Sequence, residues 1–107
     1  MGLVGGPNRT VYCATKHGME GMTKAMAIDL GVHGIRINTI CPTFIETPLA
    51  RSFLAKEEVR SWVLSRIKLG RIGKVEDLMG AVVFLASDAS ALMTGSAMVV
   101  DGGWAAD

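Results

Sequence analysis

Only two cysteines, Cys13 and Cys41, occur among the 107 residues, and they are spaced neither as a metal-ligand pair nor as a disulfide framework. They suit reduced thiols, which favours a cytoplasmic protein. There is no block of like charge: eleven basic and ten acidic residues leave a net charge of +1. The electrostatic footprint of a nucleic-acid partner or of an anionic lipid surface is therefore missing. No apolar run is long enough to span a bilayer, and no basic stretch at the N-terminus leads into an apolar one. Met1-Gly2 opens like a myristoylation site, but Gly6 stands where Ser or Thr is required. His17 and His33 have no partner at the spacing of a metal site or a catalytic triad, so no metal is expected and both rings should be solvated. Internal repeats and low-complexity segments are also lacking. The expectation is a cytoplasmic chain with no nucleic acid and no membrane among its partners.

What the chain does have is apolar residue, 50% of the total, with a positive mean hydropathy. That is rich for a domain this small, which must keep much of its surface wet. Such an excess is covered by a partner subunit, by the rest of the same fold, or by tight packing within the small domain itself.

The first residues, through Gly5-Gly6-Pro7-Asn8-Arg9-Thr10, are turn chemistry, with Thr10 as a candidate N-cap. A helix is predicted from Val11 to about Leu30, closing near Gly31 and Gly34. Met19, Met22 and Met26 share one of its faces, a stripe that belongs to a core or to a subunit interface. Gly18 and Gly21 cost this helix ~1 kcal/mol each against alanine. Close approach of a helix or a ligand would account for them, and so would chance. Ile35 to Ile40 alternates and is β-branched, which predicts a short strand stopped by Cys41-Pro42. Residues 42–70 read as a loop with one or two short amphipathic helices, followed by a turn at Gly70 to Gly73. A second long helix opens at Val75 or Glu76, carries an apolar stripe through Leu78, Met79, Val82, Val83 and Leu85, and ends at Ala86 to Asp88. Ala97 to Val100 is a buried strand, and Asp101-Gly102-Gly103 ends the regular structure. Helix, strand, insertion, helix, strand is an α/β order, in which the second helix serves as the crossover between two parallel strands. Two strands do not make a free-standing parallel sheet. The order therefore describes the C-terminal part of a doubly wound parallel-sheet fold rather than the whole of one.

Tyr12 and Lys16 lie four residues apart on the first helix and so project from one face. A tyrosine with its ordinary pKa near ~10 is a poor base at neutral pH, and a nearby ammonium lowers that value. Bringing it to about 7 takes roughly 4 kcal/mol at 1.36 kcal/mol per unit. A lysine at a partly wet site supplies part of this, and a cationic nicotinamide ring would supply more. Such a pair can exchange a proton with an alcohol or ketone. Taken alone, it is also an ordinary surface pair found on many helices.

The surroundings of the pair are more specific. Tyr12-Cys13-Ala14-Thr15-Lys16 is followed in order by Ile35-Arg36-Ile37-Asn38, Pro42-Thr43-Phe44-Ile45-Glu46-Thr47 and Leu69-Gly70-Arg71-Ile72-Gly73. Then come Phe84-Leu85-Ala86-Ser87-Asp88, Thr94-Gly95 and Val100-Asp101-Gly102-Gly103. This succession, over essentially the whole chain, resembles the short-chain dehydrogenase/reductase family. The resemblance implies that Tyr12 is the catalytic acid/base and that Lys16 binds the nicotinamide ribose and lowers the tyrosine pKa. It further implies that Pro42, Ile45 and Thr47 hold the nicotinamide end of NAD or NADP. Thr43 departs from the glycine that often follows the proline. Residues 41–70 match the substrate-lid segment, where Phe53, Leu54 and Trp62 either line a pocket or form the packing face of two short helices. Asp101-Gly102-Gly103 matches a terminal turn involved in subunit contacts.

The family's Gly-x-x-x-Gly-x-Gly phosphate turn has no counterpart in the sequence. Its catalytic serine and asparagine fall before Met1 by the same resemblance, and Asn38 is a different position. Residues 1–107 are accordingly expected to be the C-terminal portion of one domain, with the dinucleotide-binding half lacking and the isolated chain inactive. The complete protein is expected to interconvert a small-molecule alcohol and ketone as a homo-oligomer, a tetramer by family resemblance, with the helix at 11–31 packing across one interface. The alternative is a truncated, non-catalytic paralogue that serves as an oligomerisation or interaction module.

Overall fold

A computed structural model describes residues 10–106, except for the side chain of Tyr12. The turn expected at Gly2 to Arg9 lies outside the described residues. In chain order the elements are α1 (Thr10–Gly31), β1 (Thr39–Pro42), α2 (Pro48–Leu54), α3 (Glu57–Arg66), α4 (Glu76–Ala86) and β2 (Ala97–Val100). Single 3-10 turns at Asp88–Ser90 and Trp104–Ala106 complete the set. Both long helices match their expected bounds to within a residue or so, although α1 begins at Thr10 itself, the expected cap. Gly34, at φ 73°, closes α1: its amide donates to the Gly31 carbonyl at 3.0 Å.

β1 and β2 form a two-stranded sheet. Its register is parallel: Gly95 N donates to Ile37 O, then Thr39 N to Ser96 O, so both chains ascend together. The strand expected at Ile35 to Ile40 thus starts later than its alternation suggested, and it includes Cys41 and Pro42 rather than stopping at them. The cause lies at Ile37, whose N–H goes to a side chain rather than to the backbone of the facing strand. Ile37 N donates to Thr94 Oγ1 at 3.1 Å, and the Arg36 and Asn38 side chains turn to other backbone groups. Pro42 is admitted because it is the last residue of the strand, where its missing N–H costs no ladder bond.

The chain divides into two compact units. One comprises residues up to Cys41 together with Ala81–Met98, the other Pro42–Gly80 with Val99 onward. In the first, α1 buries Thr23 and Ala27. Gly95 approaches α1 closely at φ 71°, where a Cβ would stand 3.3 Å from that of Ala27, and Lys24 Nζ donates to its carbonyl at 3.2 Å. The methionine stripe of α1 is exposed, so it is not core in this chain. Nothing lies within 4 Å of a Cβ built on Gly18 or Gly21, so no close approach explains these two glycines among the described residues. The part of α4 in this unit leaves Val82 and Val83 exposed.

The second unit has an apolar core of Leu54, Val63 and Ile67, with Phe44, Ala50, Val59, Ile72 and Trp104 packed against it. Of the lid aromatics, Phe53 stacks on Phe44 at 5.9 Å and Trp62 meets Trp104 edge-on at 5.5 Å, which favours the packing-face reading. Gly102 and Gly103, at φ 62° and 93°, turn the chain beside Ile67 and Lys68, where a Cβ would clash. No helix among the described residues is long and apolar enough to cross a membrane.

Candidate functional site

The predicted site residues fall in both units. Tyr12 and Lys16 belong to one uninterrupted helix, α1, in the first; Pro42, Ile45 and Thr47 belong to the second. The helical spacing puts Tyr12 and Lys16 on a common face. The Tyr12 side chain lies outside the described residues, and Lys16 is half-buried. One turn further along the same face stands Glu20, also half-buried. Its carboxylate accepts from the Thr39 hydroxyl at 2.8 and 2.9 Å and from the Cys41 thiol at 3.5 Å. Burial, followed by the hydrogen bond and negative charge of Glu20, pushes the Cys41 thiol above its ordinary pKa. Glu20 thereby ties the helix that carries Lys16 to β1. Sequence reading missed this tie, although the spacing of four from Lys16 to Glu20 was available as a signal. His17 and His33 are exposed, and His17 Nδ1 lies 2.7 Å from the Cys13 carbonyl.

In the second unit the path from Pro42 to Thr47 is fixed by a parallel bridge between Ile45 and Gly73. Glu46 N donates to Gly73 O at 2.8 Å and Gly73 N donates to Phe44 O at 3.0 Å. A Cβ on Gly73 would stand 2.6 Å from Ile45 Cδ1, so glycine there gives Ile45 its place. Thr47 is extended (φ −117°, ψ 163°), and its hydroxyl oxygen accepts from Ala50 N at 3.2 Å, which caps α2 with Pro48 in the first turn. This leaves the hydroxyl hydrogen available to a ligand. The Thr-Pro pair was the sequence signal of this cap and went unread.

The turn that leads into α4 is held by Asp77. It takes Arg71 bidentately at 2.7 and 2.8 Å and Lys74 N at 2.8 Å. The Arg71 hydrogen bonds, then that of Lys74 N, hold its carboxyl well below the usual carboxylate range. Glu76 and Asp77 stand in the first turn of α4, where negative charge is favoured, and Asp77 adds the ion pair to Arg71. Asn38 is structural: its side chain donates to Met93 O and accepts from Ser96 N, both at 3.0 Å. No group of three or more His, Cys, Asp or Glu side chains among the described residues is arranged to hold a metal ion.

The pattern of the family named enoyl-(acyl carrier protein) reductase, within the short-chain dehydrogenases/reductases, matches residues 1–105. This chain belongs to the short-chain dehydrogenase/reductase family. Among curated proteins it is 48% identical over 101 residues to L-rhamnose 1-dehydrogenase (NAD(P)(+)) of a Sphingomonas species, covering 94% of this chain and 40% of that protein. Among solved structures it is similar to 4-hydroxyisoleucine dehydrogenase complexed with NADH, at 37% identity and a TM-score of 0.93. That match covers 99% of this chain and 44% of the other. A gluconate 5-dehydrogenase from Burkholderia cenocepacia in complex with NADP and tartrate gives 35% identity and a TM-score of 0.93, covering 99% of this chain and 42% of the other. The fold is therefore α/β of Rossmann type, and the chain spans about 40% of the length of the curated relatives it matches.

Proposed function

We propose that the whole protein is an NAD- or NADP-dependent oxidoreductase that interconverts a small-molecule alcohol and the corresponding ketone. The observation that carries this reading is the Tyr12 and Lys16 pair, set four residues apart on the continuous helix Thr10–Gly31 of a chain of this family. The residues present suit a nicotinamide nucleotide. Lys16 brings an ammonium that suits ribose hydroxyls, and Thr47 keeps a hydroxyl hydrogen for the carboxamide while its oxygen caps α2. Ile45 sits on a backbone pinned by Gly73, which suits a flat ring that must be held at one depth. When bound, the nicotinamide supplies or takes up the hydride. Tyr12 gives its phenolic proton to the substrate oxygen on reduction and takes it back on oxidation. Lys16 favours the phenolate form of Tyr12 through its charge. Pro42, Ile45 and Thr47 orient the carboxamide end.

The relatives with NADH or NADP bound support either nucleotide. The substrates named for the rhamnose dehydrogenase and for these two structures are a sugar, a hydroxyamino acid and a sugar acid, which supports a small polar alcohol in general. A homo-oligomer, tetrameric by family resemblance, and a cytoplasmic setting belong to the same proposal. The 107 residues alone, which contain no glycine-rich phosphate turn, should show no turnover. In the whole protein, Tyr12→Phe should abolish turnover while nucleotide affinity, followed by fluorescence titration, stays near that of the parent. Parent-like turnover in this variant would remove Tyr12 from the proton-transfer role.

A further inference from the structure

Apart from the residues assigned to hydride transfer, the second unit contains a cleft of about 430 Å³. This lies within the ~300–1,000 Å³ spanned by small-molecule sites. Leu54, Leu64 and Ile72 give it apolar lining, while Arg51, Arg60, Arg71 and Lys74 face a single carboxylate, that of Glu46. The four cations come from α2, from α3 and from the turn before α4, so the fold itself gathers them around one concavity. Like charges gathered on one cleft repel one another, and an anion among them relieves the repulsion.

Not all four charges are open to a ligand. Arg71 is engaged bidentately by Asp77. Arg51 approaches Glu46 only at 4.0 Å, with the two side chains 67% and 50% exposed, a pair that solvent weakens nearly to nothing. Arg60 and Lys74 make no side-chain hydrogen bond or ion pair among the described residues. Because Asp77 also accepts from Lys74 N, the backbone under the lysine is fixed; its ammonium feels the Asp77 charge but makes no hydrogen bond to it. The apolar lining disfavours a bare inorganic ion and suits an anionic head on a short apolar body.

We infer that this cleft binds a small organic anion, a carboxylate or a phosphate monoester on a short apolar body, through Arg51, Arg60 and Lys74. Arg71 serves as a fixed wall rather than as a ligand. The inference does not depend on the hydride-transfer reading, since none of these residues belongs to that chemistry.

The experiment is a titration of the isotope-labelled chain with hexanoate, with hexyl phosphate, and with hexanol as the uncharged control, followed by amide and guanidinium NMR signals. Saturable shifts centred on Arg51, Arg60 and Lys74 are expected with at least one anion and not with hexanol. Tighter binding of hexanoate assigns a carboxylate ligand, and tighter binding of hexyl phosphate assigns a phosphate ester. Arg60→Gln combined with Lys74→Gln should weaken binding about tenfold, as expected for the loss of two exposed charge contacts. Lys24→Gln, in the other unit, should leave binding unchanged. The variants alter exposed side chains, so their amide spectra should otherwise overlay that of the parent. Shifts that do not saturate, equal response to hexanol, or undiminished binding by the double variant would each overturn the site.

Discussion

The two units of this chain are held together by different chemistry. The second has an apolar centre, with Leu54, Val63 and Ile67 buried and Phe44, Phe53, Trp62 and Trp104 in ring contact around it. In the first, Ala27 is the one buried apolar side chain among the described residues, and the polar Thr23 and Ser90 are buried as well. Its cohesion comes instead from side chains that satisfy backbone groups. Arg36 alone donates to the carbonyls of Leu85, Ser87, Ser90 and Met93 and to Ser90 Oγ, at 2.8 to 3.2 Å. These carbonyls lie at the end of α4 and in the turn after it, where the regular helical ladder has stopped. The comparison teaches that apolar content and apolar burial are separate properties. The first unit is rich in Met, Val and Ile, yet most of these side chains face outward.

The largest effect should come from the apolar centre. Leu54→Ala, at a residue 4% exposed, is expected to destabilise the second unit by about 2–5 kcal/mol. Amide hydrogen exchange would read this as lost protection in α2 and α3, whereas the same truncation of Met22, 57% exposed in the first unit, should leave α1 unaffected. Equal losses in both would erase the contrast.

Next in size is Arg36→Met, which keeps the apolar stem but removes the charged donor that four carbonyls share. A cost of about 2–3 kcal/mol is expected, from charged hydrogen bonds at a half-buried site. Protection should fall at Ala81–Met98 and hold in the second unit. Arg36→Lys should not rescue it, because one ammonium cannot span the carbonyls that a guanidinium fork reaches. Full protection in the Met variant would show that the polar ties are incidental.

The smallest effect concerns the exposed ion pair of the second unit. The folded pKa of Asp77 lies below its unfolded value, so its contribution is full above the ordinary carboxylate pKa near ~4. That contribution is lost as pH falls through the folded value. The urea midpoint of the parent should therefore exceed that of Asp77→Asn at neutral pH, with the gap closing below about pH 4. Added salt should also narrow it. A gap constant with pH would show that ionisation of Asp77 contributes nothing to stability.

Much of this was legible in the residues. The span of α4 follows from its apolar period, and β2 from a short apolar run between Gly95 and Asp101. The ordered motifs from Tyr12 to Gly103 carried the family. The strand at Ile35 was misplaced because alternation reports which residues can pair, while the Ile37 N–H was already engaged with the Thr94 side chain. Glu20 with Thr39 and Cys41, the cap at Thr47 and the Arg71–Asp77 pair were equally hidden, since each joins residues whose separate signals are common.

By itself, then, the sequence determined the helices, the parallel strand pair and the Tyr12–Lys16 spacing, because these depend on local period and on neighbours within a few residues. Tertiary structure decided which apolar residues are buried and where the strand starts. It also decided which cations gather around one cleft. Burial and charge clustering depend on which distant segments meet. Arg51, Arg60 and Lys74 are unremarkable along the chain, and the fold alone sets them on one cleft.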